Sequence, residues 1–115
     1  MKAAAYHRIF DQVLADYHRT DSVDAQENNP FEVNSETLSF FLYHKCWIDN
    51  IQWHLEDIIR DPHIQPEEAL RIKRRIDAKN QERTDCVEDI DTYFFKRFKD
   101  IKILEDARWA TETPA

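Results

Sequence analysis

Glycine does not occur anywhere in this chain of 115 residues. Positive-φ turns and the tight hairpins built on them rest mainly on Gly, so a β-rich architecture has little support. Gly-rich phosphate loops and dinucleotide fingerprints are excluded with it, because they need backbone that closes on a phosphate without a Cβ in the way. Proline is scarce, at four residues, so long stretches run without a helix breaker. No run approaches 18 apolar residues, and the start MKAAAYHRIF holds no continuous apolar segment. Neither export nor a membrane partner is indicated, and a cytoplasmic location is expected. The two cysteines, Cys46 and Cys86, form no CxxC pair and read as small buried hydrophobes. Positive charge is in the minority, 16 Lys plus Arg against 23 Asp plus Glu, for a formal charge of −7. That balance repels a phosphate backbone, so no nucleic acid partner is expected. The local run RIKRR (71–75) follows Glu67 and Glu68 and reads as a solvated, ion-paired helix face.

What the chain does have is helical periodicity. Its length fits one domain. Tyr6, Ile9, Phe10, Val13, Leu14 and Tyr17 keep one face of a helix over about 2–18. Residues 20–34 lose that period, collect Asp, Asn, Ser and Pro, and read as a long connection that wraps the body, anchored by Val23, Phe31 and Val33. A second helix is predicted over about 35–60, capped by Asn34 or Ser35 and stopped at Asp61-Pro62. A third runs over about 66–98, with Pro66 at its first position and Glu67 and Glu68 beside the positive dipole end. The tail 100–115 reads as irregular yet carries Ile101, Ile103, Leu104 and Trp109, which are expected to dock on the body. The fold class is all-α, an antiparallel helical bundle with a short connector between its two longer helices.

Within the third helix, Ile72, Ile76, Val87, Ile90 and Phe94 form one row, and Asn80 and Arg83 interrupt it. An antiparallel pair turning around 61–66 brings residues whose numbers sum to about 127 to one height, within roughly a turn. Arg83 then lies level with His44, Asn80 with Trp47, and His54 with Lys73. Asn80 is expected to accept from the Trp47 indole N–H, while Arg83 stacks on a ring and reaches a carboxylate. The ligand-binding candidates are therefore His44, Trp47, His54, Asp57, Asn80 and Arg83. Two readings stay open: a satisfied polar network that fixes helix register, or an anion pocket built on the planar fork of Arg83.

Catalytic metal chemistry finds less support. Glu88-x-x-Asp91 has the spacing for half of a Mg²⁺ site of an all-α nucleotide pyrophosphohydrolase. Helix two offers only Glu56 and Asp57 for the other half, and these adjacent carboxylates point about 100° apart. His44 and His54 are ten residues apart, about 15 Å along a helix, too far to share an ion. No Glu-x-x-His pair exists for a di-iron site. No cofactor is expected, with Mg²⁺ as the minor alternative.

The strings HRTD (18–21), NPF (29–31), WIDNIQWHLEDIIRDP (47–62), IKRRIDAKNQERTD (72–85) and TETPA (111–115) together resemble a bacterial domain-of-unknown-function family, number forty-two fifty-four. The resemblance spans nearly the whole chain from His18 onward. It implies an all-helical cytosolic bacterial protein, and it transfers no catalytic assignment. Members of that family continue past the equivalent of TETPA into further helices, so the chain resembles their N-terminal part as a single helical domain. The resulting expectation is a binding or assembly module that self-associates or takes a protein partner through the apolar surface of helix three and the tail. The alternative is a small-molecule enzyme or anion site in the seam between helices two and three.

Overall fold

The structure, a computed structural model, describes the backbone of residues 3–112 and the side chains of residues 5–106. It consists of three helices, α1 (Ala3–Thr20), α2 (Thr37–Ile59) and α3 (Pro66–Glu112), with no strand among the described residues. The middle helix α2 packs against both of the others. Ile9, Val13 and Tyr17 of α1 meet Tyr43, Cys46, Trp47, Ile51 and Leu55 of α2, and Ile72 and Ile76 of α3 close the core from the far side. Successive ties from Phe41 to Cys86, Asp49 to Arg83 and Gln52 to Asn80 run in opposite order along α2 and α3. The two helices are therefore antiparallel; the Phe41 tie falls on the expected register and the other two are displaced from it by about one and a half turns.

A chain without glycine still has to end α1. Asp21 takes the left-handed conformation, φ 51, and its N–H donates to the Tyr17 carbonyl at 2.9 Å. Asp tolerates this region better than most residues, and the bond satisfies one of the free carbonyls of the last turn. The connection that follows wraps the body, as expected. The Asn29 side chain donates to the Phe40 carbonyl at 2.9 Å and accepts from the Phe31 N–H at 3.0 Å. Val23 and Phe31 pack against the core, joined by Ala25. Val33 does not; it stands 42% exposed. Nor do Asn34 or Ser35 cap α2: the residue before the helix is Glu36, without a side-chain cap bond. The first turn is held instead by the Thr37 hydroxyl, which donates to the Val33 carbonyl at 2.9 Å.

The largest correction concerns α3. It continues as one helix to Glu112, where a stop near residue 98 and an irregular docked tail were expected. Nothing between Lys99 and Glu112 breaks a helix, since the stretch has neither Pro nor Gly. Ile101, Ile103 and Leu104 are not docked; they are more than half exposed or close to it. The Trp109 side chain, Pro114 and residue 2 lie outside the described parts. Because α2 begins only at Thr37 and Phe41 already meets Cys86, α3 runs uncovered for about 30 Å beyond the core. The molecule measures 77 × 25 × 21 Å. No described helix is long and apolar enough to cross a membrane.

Candidate functional site

The interruption in the apolar row of α3 has a matching interruption on α2. Asp49 and Gln52, three apart, meet Asn80 and Arg83, also three apart. The Gln52 side chain is buried and its Nε2 donates to Asn80 Oδ1. Arg83 Nε donates to Asp49 Oδ1 at 3.0 Å, and the other oxygen of Asp49 accepts from Lys45 Nζ at 2.8 Å. The partner of Asn80 is thus Gln52 and not Trp47, and Arg83 finds its carboxylate in Asp49. At about 100° per residue, Trp47 and Gln52 project about 140° apart. Trp47 turns to the α1 side, edge-on to Tyr17 at 5.4 Å and stacked on Tyr43 at 6.2 Å.

His54 also faces α1. Its Nδ1 lies 2.8 Å from the Tyr17 hydroxyl, and burial pushes the phenol of Tyr17 up to about 12. His54 and Asp57 share a shallow cleft with Asp21, Asn50 and Trp53. His54 projects roughly 160° from Gln52 around α2, so the pair His54 and Asp57 and the pair Asn80 and Arg83 occupy opposite sides of the helix.

His44 marks a third location. Its Nδ1 donates to Glu27 Oε1 at 2.6 Å, and the Glu27 carboxylate holds the imidazolium above its ordinary pKa against the cost of burial. The pair borders a cleft of about 330 Å³ between the connection and the two long helices. Arg75 reaches across that cleft to the Val23 carbonyl at 3.1 Å and to Asp24 at 2.9 Å. Lys79 is paired with Glu82 at 3.0 Å. Each cation at the rim therefore has a carboxylate beside it, which leaves the cleft balanced in charge. In the RIKRR run Arg71 is likewise paired with Glu68 and Lys73 with Asp77.

The six candidate residues thus fall into three places. Sequence reasoning overlooked Gln52, Asp49, Tyr17, Glu27 and Arg75. A signal existed for the first two, because Asp49 and Gln52 repeat the spacing of Arg83 and Asn80 in reverse order. Glu88 and Asp91 are exposed on α3, and no group of three potential metal ligands gathers among the described residues.

One more surface stands out by exposure. Phe95, Phe98 and Leu104 are 68%, 67% and 69% exposed, and Phe94, Ile101 and Ile103 about half. Ile90, Phe94, Phe98 and Ile101 continue the same helix face that buries Ile72 and Ile76 against α2. The packing face of α3 simply outlasts its partner.

A family described as "Protein of unknown function (DUF4254)" matches residues 39–115. The chain belongs to this family. The DUF4254 match begins inside the first turn of α2 and takes in all of α3, so it covers the antiparallel pair. Neither the comparison with curated proteins nor that with solved structures gives a match. Both sides of the polar crossing, Asp49 and Gln52 with Asn80 and Arg83, lie within the DUF4254 stretch, as does the exposed half of α3. Tyr17 and Glu27, the partners of His54 and His44, precede it. The polar crossing therefore belongs to the DUF4254 pair itself, whereas the two histidine contacts fasten the preceding segment onto it.

Proposed function

We propose that this chain is an assembly module, in which the compact part built on α2 orients α3 and the distal half of α3 is the docking surface. The observation that carries this reading is the uncovered apolar face formed by Phe94, Phe98, Ile101 and Leu104. Contiguous exposed aromatic and aliphatic side chains on one helix face mark an interaction site in a water-soluble chain, because leaving them in water forfeits their burial energy. The balanced ion pairs elsewhere support the same reading. Arg83 is taken by Asp49, and Arg75, Lys79 and His44 by carboxylates, so these groups act as ties between elements. The reading places the chain in the bacterial cytoplasm, where buried free thiols such as Cys46 and Cys86 stay reduced.

Sedimentation of the chain across a range of concentrations tests the proposal. The wild type is expected to run heavier than its 13.9 kDa, and the double variant Phe94→Glu, Phe98→Glu to return to that mass with an unchanged unfolding transition. A wild type that stays at the single-chain mass throughout overturns it.

A further inference from the structure

We propose that the cleft between α1 and α2 binds a small protonated amine, whose N–H groups donate to Asn50 Oδ1 and to the carboxylates of Asp21 and Asp57 while its carbon chain lies against Trp53 and Leu14. The site is separate from the distal α3 face and stands or falls without it.

A short pattern occurs twice in the chain. Tyr17-His18-x-x-Asp21 and Trp53-His54-x-x-Asp57 share the order aromatic, His, two intervening residues, Asp. With Leu14 and Asn50 three positions before the aromatic, each set has the i, i+3, i+4, i+7 spacing of one helical stripe. Both stripes line the same cleft, of about 390 Å³, a size within the range of small-molecule sites. The Tyr17 hydroxyl, 2.8 Å from His54 Nδ1, ties one wall to the other. The shape is therefore set before a ligand arrives.

Asn50 is the part of the wall that calls for a ligand. It is only 6% exposed. Its Nδ2 donates to the Cys46 carbonyl at 2.9 Å, which leaves Oδ1 without a hydrogen-bond partner among the described residues. No sealed side-chain nitrogen or oxygen among those residues lacks a partner, so this oxygen is not closed off. It opens on the cleft that Asn50 lines. An acceptor on so buried a side chain needs a donor, because leaving it unmade costs its desolvation.

The walls set the charge of that donor. Asp21 and Asp57 line the cleft and no Lys or Arg does, whereas three other clefts of similar size each have an arginine in the wall. Asp21 meets His18 through one oxygen at 3.2 Å. Asp57 is held loosely, 3.7 Å from the Arg60 guanidinium with both side chains about three-quarters exposed, and such a pair is weak. A cation suits these walls. Trp53 stands 57% exposed, and an indole face both attracts an ammonium group and covers an alkyl chain. A bare metal ion does not suit, since no three His, Cys, Asp or Glu side chains gather among the described residues. The occupant thus carries its charge on an extended organic body.

Titration with n-butylammonium chloride at constant ionic strength, followed by proton–nitrogen correlation NMR, tests the site. Saturable shifts confined to residues 14–21 and 50–57, with the Trp53 indole and Asn50 side-chain N–H signals among them, are the expected result. Trp53→Ala and Asp57→Asn, both at largely exposed positions, should each weaken binding about two- to fivefold. The n-butyltrimethylammonium ion keeps the chain and the charge but offers Asn50 no N–H, and it should bind about fivefold more weakly or worse. Equal binding of the two cations, or of n-butanol, overturns the proposal. So do shifts that spread over the acidic surface without saturating, or variants that bind as the wild type does.

Discussion

Arg83 and Asp49 meet across the α2/α3 seam, Nε to Oδ1 3.0 Å, with Lys45 on the other carboxylate oxygen at 2.8 Å. Arg83 is 48% exposed, so solvent screens its half of the pair. Arg83→Ala is therefore expected to cost under about 1 kcal/mol. Asp49→Ala should cost more, because it removes the anion between two cations and leaves them facing each other. Urea unfolding of both variants and their double checks this; equal losses for the two single variants would show that Asp49 does not bridge.

The Tyr17 hydroxyl and His54 tie α1 to α2 from within the core. Tyr17→Phe keeps the ring against Trp47 and removes only the bond, so a loss of about 0.5–1.5 kcal/mol is expected. Leu55 is fully buried in the same cluster, and Leu55→Ala should cost about 2–5 kcal/mol through lost transfer energy plus the cavity left behind. Thermal or urea unfolding of the two variants distinguishes a polar tie from packing by this ratio.

The His44 contact with Glu27 makes the fastening of the connection sensitive to pH. The folded state holds the His44 pKa above its ordinary value of about 6.5. Its contribution is thus complete below that value and disappears as pH rises through the higher folded value. Both groups keep some contact with water, so the amount is under about 1 kcal/mol. Stability curves of wild type and His44→Asn should therefore differ at pH 6 and converge on the alkaline side. A gap that widens with pH would refute the assignment.

Neither thiol should react quickly. Cys46 and Cys86 are each 2% exposed, burial raises both thiols, and that of Cys86 is pushed up to about 11. A thiol reagent at neutral pH is expected to modify them only as fast as the fold opens, and both at once in denaturant. A fast-reacting equivalent in the native chain would place one cysteine outside the core.

The helices and their antiparallel pairing were legible because apolar residues at helical spacing state which face is buried, and Pro62 with Pro66 mark the turn. The end of α3 was misread for a physical reason. Ile101, Ile103 and Leu104 look as though they must be covered, and covering them within one chain demands a break in the helix, yet the local sequence supplies none. Local propensity decided the matter. The polar crossing was half legible, since Asn80 and Arg83 announced it and their partners were assigned from a register about one and a half turns away. Contacts made by the 21–36 connection were the least accessible. Where Glu27 lands on α2 depends on how a chain segment without period is folded back, and nothing in its own composition names His44 as its destination.

Between Pro66 and Glu112 there is no further proline and no glycine, the residues at which helices usually bend. α3 is thus a stiff lever, clamped against α2 from Ile72 to Cys86 and free over its distal stretch. A load applied near Leu104 is carried to that clamp with no joint on the way to absorb it.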